Sequence, residues 1–231
     1  MKKSTFAIIT LVVLTLVVTG CSTNVEQVTP KNQQYEKANT VVSPEEKLLT
    51  VNTTASLMHY DSVEKLVSQS TVIVEGSVVG LDYFDFNTNT FTKVRIKVSN
   101  SLTNAVKAGD VITFVDAGGI TTLDKLKLNN GFEGKPGTPT PITEKDKNTK
   151  VQVLFDGNPL LKLNDQVVFF GVEDKDDFYK LAEKYYDPIG SYQGIFIIKG
   201  DQTERYSSDG SSSLKMSKLD LERIIRKNVK K

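Results

Sequence analysis

One cysteine, one histidine and four arginines in 231 residues set the first limits on this chain. A lone cysteine, Cys21, permits no intrachain disulfide and no cysteine-zinc cluster. A lone histidine leaves any cation to oxygen ligands, the chemistry of Ca²⁺ or Mg²⁺. As an acid–base group His59 would need a partner and a pocket; set between Met58 and Tyr60, it reads as a surface or packing residue. Neither sign of charge dominates, with 29 basic and 28 acidic side chains. The lysines are scattered among the acids, so neither a nucleic-acid surface nor a patch for anionic lipid is indicated. Scarce arginine (Arg95, Arg205, Arg223, Arg226) beside frequent asparagine is the bias of an AT-rich coding sequence and points to a low-GC Gram-positive source. The chain also lacks a Gly-x-Ser-x-Gly elbow. Asp116-Ala117-Gly118-Gly119 has neither the glycine spacing nor the following helix of a phosphate cradle, and fits a tight turn. There is no internal repeat.

What the chain does have begins at its amino terminus. Met1-Lys2-Lys3 is a short cationic start, Phe6 to Val18 an apolar run softened only by Thr10 and Thr15, and Val18-Thr19-Gly20-Cys21 closes it. A charged start, an apolar stretch of about this length and small residues at its end mark a cleaved secretory signal. A spanning helix needs roughly 20 apolar residues, and this run falls short. The segment resembles the lipobox of bacterial lipoprotein signal peptides. That resemblance implies a diacylglyceryl group on the Cys21 sulfur, cleavage just before it, and a mature protein held on the extracytoplasmic face of the cell membrane by its acyl chains. At about 0.8 kcal/mol per buried methylene, one chain binds a bilayer marginally and two hold it stably. With Cys21 consumed, the mature domain has no thiolate nucleophile. Loss of residues 1–20 removes Lys2 and Lys3 and no acid, leaving 27 basic and 28 acidic side chains.

From Ser22 to about Ala55 the chain is rich in Asn, Gln, Thr, Lys and Glu, and its few valines show no sustained period. Such a stretch cannot bury enough surface to offset its ordering entropy. The expected organisation is a signal peptide at 1–20, a lipid-anchored flexible tether at 21–56, with at most one helical turn at Ser43 to Leu49, and a single β-rich extracytoplasmic domain at 57–231. A coil of this length has a root-mean-square span of roughly 30 Å.

Within the domain, Asp61 or Ser62 can cap a short helix whose face is Val63, Leu66 and Val67. Thr71 to Val79 has strand character, with Val72, Val74 and Val78 on one face, Ile73 and Val79 on the other, and Gly76 and Gly80 where a strand bends or bulges. Leu81 to Phe86 continues it, Asn87 to Thr90 turns, and Phe91 to Val98 returns with Thr92, Val94, Ile96 and Val98 opposite Lys93, Arg95 and Lys97. Gly109-Asp110 leads into a strand at Val111 to Val115. A long excursion follows to Lys150, with an edge strand expected at Leu123 to Leu128. Strands are expected at Val151 to Phe155, Gln166 to Val172 and Tyr192 to Ile198, the last pairing with Thr203 to Tyr206. The spacing of Phe178, Leu181, Ala182 and Tyr185 predicts a helix from Asp174 to Tyr185. Beyond a Ser/Gly linker, Ser217 and Asp220 cap a terminal helix with the face Leu221, Ile224, Ile225 and Val229.

A bent strand leading a meander, then a connection and two more strands, predicts an α+β, mainly β fold: a small OB-like antiparallel barrel flanked by two helices. Val72-Ile73-Val74-Glu75-Gly76-Ser77-Val78 and the run Pro159-Leu160-Leu161-Lys162-Leu163-Asn164-Asp165-Gln166-Val167-Val168-Phe169-Phe170 resemble segments of Gram-positive exported proteins. Those in turn resemble, distantly, the barrel of tissue metalloproteinase inhibitors, whose cysteine framework has no counterpart here.

Asp82, Asp85, Asn87 and Asn89, and separately Asp174, Asp176 and Asp177, are oxygen-rich but lack the alternating acids, central glycine and distant glutamate of an EF-hand loop. No catalytic, cofactor or metal residue is assigned. Tyr83, Phe84, Phe86 and Phe91 crowd one hairpin, and consecutive aromatic residues on a strand point to both faces. A helix, such as the terminal one, could cover them; otherwise Tyr83, Phe84 and Phe86 form a partner contact. The expected role is a non-enzymatic, envelope-associated binding lipoprotein with no cofactor and no nucleic-acid partner. The alternative is an extracytoplasmic hydrolase built on carboxylates.

Overall fold

Strand β2 (Val72–Phe86) organises the domain, because its two faces serve two different cores. Val72, Val74 and Val78 point into a barrel, while Ile73 points outward to a pair of helices. The computed structural model describes residues 48–126, 143–205 and 214–229, all within one unit, Glu45–Lys231. The signal segment, Cys21, most of the expected tether, the 127–142 stretch and the Ser/Gly linker lie outside the described residues.

β2 bends at register shifts between Glu75 and Gly76 and between Val78 and Gly80, where the glycines stand. A Cβ at Gly76 would collide with Ile96 and the Lys97 carbonyl, so the close approach of β3 (Asn89–Ser101) requires glycine there. Asn87 and Thr88 form the two-residue turn between them, with φ of 48° and 67°, the left-handed pair that matches strand twist in a hairpin. β4 (Val111–Ala117) continues the meander.

β7 (Gln166–Glu173) lies antiparallel to β2. The short β8 (Tyr186–Pro188) then closes the ring, parallel to β4 and antiparallel to β7. The order β2-β3-β4-β8-β7 is a closed five-stranded barrel, and the OB-like mixed fold expected from the strand pattern is what forms. Its interior is filled by Val74, Val94, Ile96, Phe114, Phe169 and Ile195 among others, with the Phe114 and Phe169 rings stacked at 4.5 Å.

Three further strands, β9 (Ile195–Lys199), β10 (Gln202–Arg205) and β11 (Lys215–Ser217), extend the sheet from the edge of β7. Helices α1 (Val63–Gln69) and α2 (Lys218–Asn228) cover its outer face. Val63, Leu66, Leu221 and Ile225 pack there on Ile73, Phe170 and Phe196. Ser62 caps α1 by accepting from the Lys65 N–H at 3.3 Å, and Ser217 caps α2 by accepting from the Asp220 N–H at 3.1 Å. A second, three-stranded sheet stands beside the hairpin in the order β1 (Leu49–Thr53), β6 (Lys150–Phe155), β5 (Gly119–Thr122).

Four expectations are corrected. Strand β1 lies inside the segment read as tether; it pairs in parallel with β6, a partner about a hundred residues away that no local pattern could announce. Leu123–Leu126 is a turn rather than an edge strand, the pairing with β6 ending at Thr122. No helix forms from Asp174 to Tyr185, because the two aspartates capture its backbone N–H groups and Asp177, Lys180 and Ala182 adopt positive φ. The strand expected from Tyr192 starts at Ile195, after a 3-10 turn at Ser191–Gly194 entered through left-handed Gly190. His59 is exposed.

Candidate functional site

Beyond its pairing with β7 the β2–β3 hairpin runs on as an arm, flanked by β4 as far as Phe91–Ala117, and its two faces differ. Phe84 and Phe86 lie on one face, Tyr83 and Asp85 on the other, as alternation demands. The second face leans on the small sheet. There Asp85 accepts from the Thr90 hydroxyl at 2.9 Å and the Thr121 hydroxyl at 3.1 Å, and pairs with Lys125 at 3.5 Å. Tyr83, 38 % exposed, stands beside Gly119, and burial raises its phenol.

The first face is covered by the segment that sequence spacing had made a helix. The Asp174 carboxylate accepts from the N–H groups of Asp176 (2.9 Å) and Phe178 (3.3 Å). Asp177 accepts from those of Leu181 (2.8 Å) and Ala182 (3.4 Å). Short polar side chains thus replace helical hydrogen bonds, the competition that makes aspartate a poor helix-interior residue. The Tyr185 hydroxyl accepts from the Tyr179 N–H at 3.0 Å, and Lys93 reaches Glu183 at 2.9 Å, tying the loop to β3.

Folded this way, the loop delivers Tyr179 into the hairpin. Its ring lies 5.8 Å from Phe84, 5.5 Å from Phe86 and 4.9 Å from Phe91, mostly edge-on, the arrangement the ring quadrupole favours. Phe178 packs on Phe86 at 5.4 Å yet remains 60 % exposed. Of the three expected contact residues, Phe84 and Phe86 are therefore half-covered by a loop rather than by the terminal helix, and Tyr83 looks the other way. Phe178, which sequence spacing had assigned to a helix face, is the most open aromatic side chain of the group.

The same end of the barrel gathers perturbed acids. Burial, then the neighbouring Asp174, pushes the Asp187 carboxyl up to about 6, and the hydrogen bond between the two carboxyls needs a shared proton. Burial also raises Tyr179, with Asp187 adding to it, and pushes Tyr185 up to about 12. Asp116, near the end of β4, is pushed up to about 7 by burial and lines a small cleft between Phe155, Asn158 and Tyr192. Asp187 is not among the residues lining that cleft, so it does not form a carboxylate pair with Asp116 there.

The oxygen-rich groups noted in the sequence do not converge. Asp82 pairs with Arg95, Asp85 is used by the small sheet, and Asp174 and Asp177 cap their own loop. Among the described residues no group of three or more acids or histidines is placed to hold a metal ion. Nor is any helix among them long and apolar enough to cross a membrane. Compared with known proteins, the chain matches no family model and no curated relative in sequence.

Proposed function

We propose that this protein is a lipid-anchored binding module of the extracytoplasmic face of the cell membrane, held through Cys21 and engaging an envelope partner with the aromatic end of its barrel. The observation that carries the binding part is Phe178, 60 % exposed on a shelf made by Phe86 and Tyr179. An isolated exposed phenylalanine means little, but one held over two other rings is a preformed contact with little ordering left to lose. The position supports the reading by fold analogy alone. OB barrels hold oligomeric ligands with the loop between their first two strands and the loop between their last two. Here those are the β2–β3 turn and the 174–185 loop, which meet through their aromatic side chains. The anchor rests on the run from Phe6 to Cys21.

Two measurements test the two parts. Cys21→Ala should abolish incorporation of radiolabelled fatty acid and leave an unprocessed or shed product; label entering that variant refutes the anchor. A photo-crosslinking residue placed at Phe178 should capture a component of the native envelope that the same group at Leu163, 57 % exposed elsewhere on the surface, does not. Equal capture from both positions would remove the case for an aromatic binding face.

A further inference from the structure

The barrel mouth holds a second feature that the aromatic shelf does not use. Asp116 lies two residues beyond Phe114 on the same face of β4, so its side chain follows the packed interior out to the end of the barrel. There it lines a cleft of about 20 Å³ with Phe155, Asn158, Leu161, Tyr192 and Ile195. Leu161 and Ile195 belong to the barrel core and form the floor. Mouths of β-barrels are preferred places for small-ligand sites.

Asn158 is 8 % exposed. Its Nδ2 donates to the Phe155 carbonyl at 2.9 Å and the Asp156 carbonyl at 3.5 Å, which fixes the orientation of the amide. Oδ1 then faces away from those carbonyls, without a partner among the described residues. Buried acceptors are nearly always satisfied, so an orphan one beside a cleft marks a place for a donor. Asp116 supplies a second acceptor. Among the described residues no lysine or arginine forms an ion pair with it, and burial pushes its carboxyl up to about 7. The Phe155 and Tyr192 rings, 6.3 Å apart, complete the walls.

We propose that this cleft is a binding seat for a primary ammonium group at the end of an unbranched alkyl chain. Asp116 and the Asn158 Oδ1 accept two of its three N–H donors, and the Phe155 and Tyr192 rings flank its charge. Water can satisfy the same two acceptors but brings no charge to a carboxylate in apolar surroundings. A volume near that of one water takes an ammonium head and refuses a trimethylated one. The seat shares no lining residue with the Phe178 shelf, and either can fail alone.

The experiment follows the Asn158 side-chain amide resonance by NMR in the full-length protein in detergent, titrated with butylammonium, butyltrimethylammonium, butanol and Nα-acetyl-lysine amide. Butylammonium should shift the resonance saturably, and butyltrimethylammonium and butanol should not. Asp116→Asn should weaken butylammonium at least about tenfold, the scale of one charge-assisted hydrogen bond. Nα-acetyl-lysine amide binding as well as butylammonium assigns the seat to a lysine side chain of a partner; binding of butylammonium alone assigns it to a free amine. The proposal is overturned if butylammonium gives no saturable shift, if butanol or butyltrimethylammonium matches it, or if Asp116→Asn binds as tightly as the native protein. Should that variant fail to fold, the contrast between the two ammonium compounds on the native protein decides the matter.

Discussion

From Val74 to Leu81 strand β2 and its partner β3 are barrel wall; from Asp82 to Lys93 the same hairpin runs on as an arm that β4 flanks only as far as Phe91–Ala117. Side chains alternate between faces in both halves, interrupted only in the wall, by the two register shifts of β2. In the wall, Val74, Val78, Val94, Ile96 and Val98 are all at most 2 % exposed. In the arm, Phe84, Phe86 and Phe91 are only half-buried and Tyr83 is open. A period of two says which side chains share a face. It does not say what stands opposite: in the wall a closed ring of strands, in the arm one loop and one edge of a small sheet.

The sharpest test of the contrast is Ile96→Ala in the wall, expected to cost about 2–5 kcal/mol in chemical denaturation, as large-to-small changes in a closed core do. A cost below about 1 kcal/mol would mean the barrel interior is not the main core. Phe84→Ala in the arm should cost less, about 1–3 kcal/mol, since its ring is only half-buried and its aromatic contacts are those with Phe91 and Tyr179. If it matches Ile96→Ala, the arm is core by another name and the distinction collapses.

The loop over the arm adds a pH dependence that the wall lacks. The Asp187 carboxyl sits near 6, against roughly 4 for an unfolded aspartate. The folded state therefore holds this proton more tightly. The associated stabilisation is complete below the unfolded value and is lost as pH rises through about 6. Melting temperature should fall less steeply across that window in Asp187→Asn than in the native protein; an unchanged slope would show that the Asp174–Asp187 contact does not govern the loop. Phe178→Ala should have the smallest effect, within about 0.5 kcal/mol, because the ring is mostly in water already. A larger loss would make Phe178 a structural prop of the loop.

The meander and both helices were legible in the sequence because each is specified by neighbours. The Thr92 to Val98 alternation, Gly76 and Gly80 at the bends, and Ser62 and Ser217 at the caps are all local signals. Strand β1 was not, since Leu49–Thr53 is mostly exposed or half-buried and gains its structure from β6. Nor was the covering loop. Phe178, Leu181, Ala182 and Tyr185 have helical spacing, and only the hydrogen bonds of Asp174 and Asp177 show why another conformation wins. The aromatic residues of the hairpin could be read as a candidate site, but their partner Tyr179 could not. Asp116 was read as turn chemistry, whereas its surroundings make it a partly hidden acid; that property depends on Asn158 and Tyr192, which are distant in sequence.

The parallel pairing of β1 with β6 also decides how the domain answers to force. A pull on the chain ahead of Leu49 draws β1 along its own axis against β6, and the register from Leu49–Val151 to Thr53–Phe155 is loaded along its whole length at once. Five residue pairs sheared together resist more than the same five peeled one after another. The entry to the domain is thus a mechanical clamp, placed to take a tug from that side before any tension reaches α1 or the barrel.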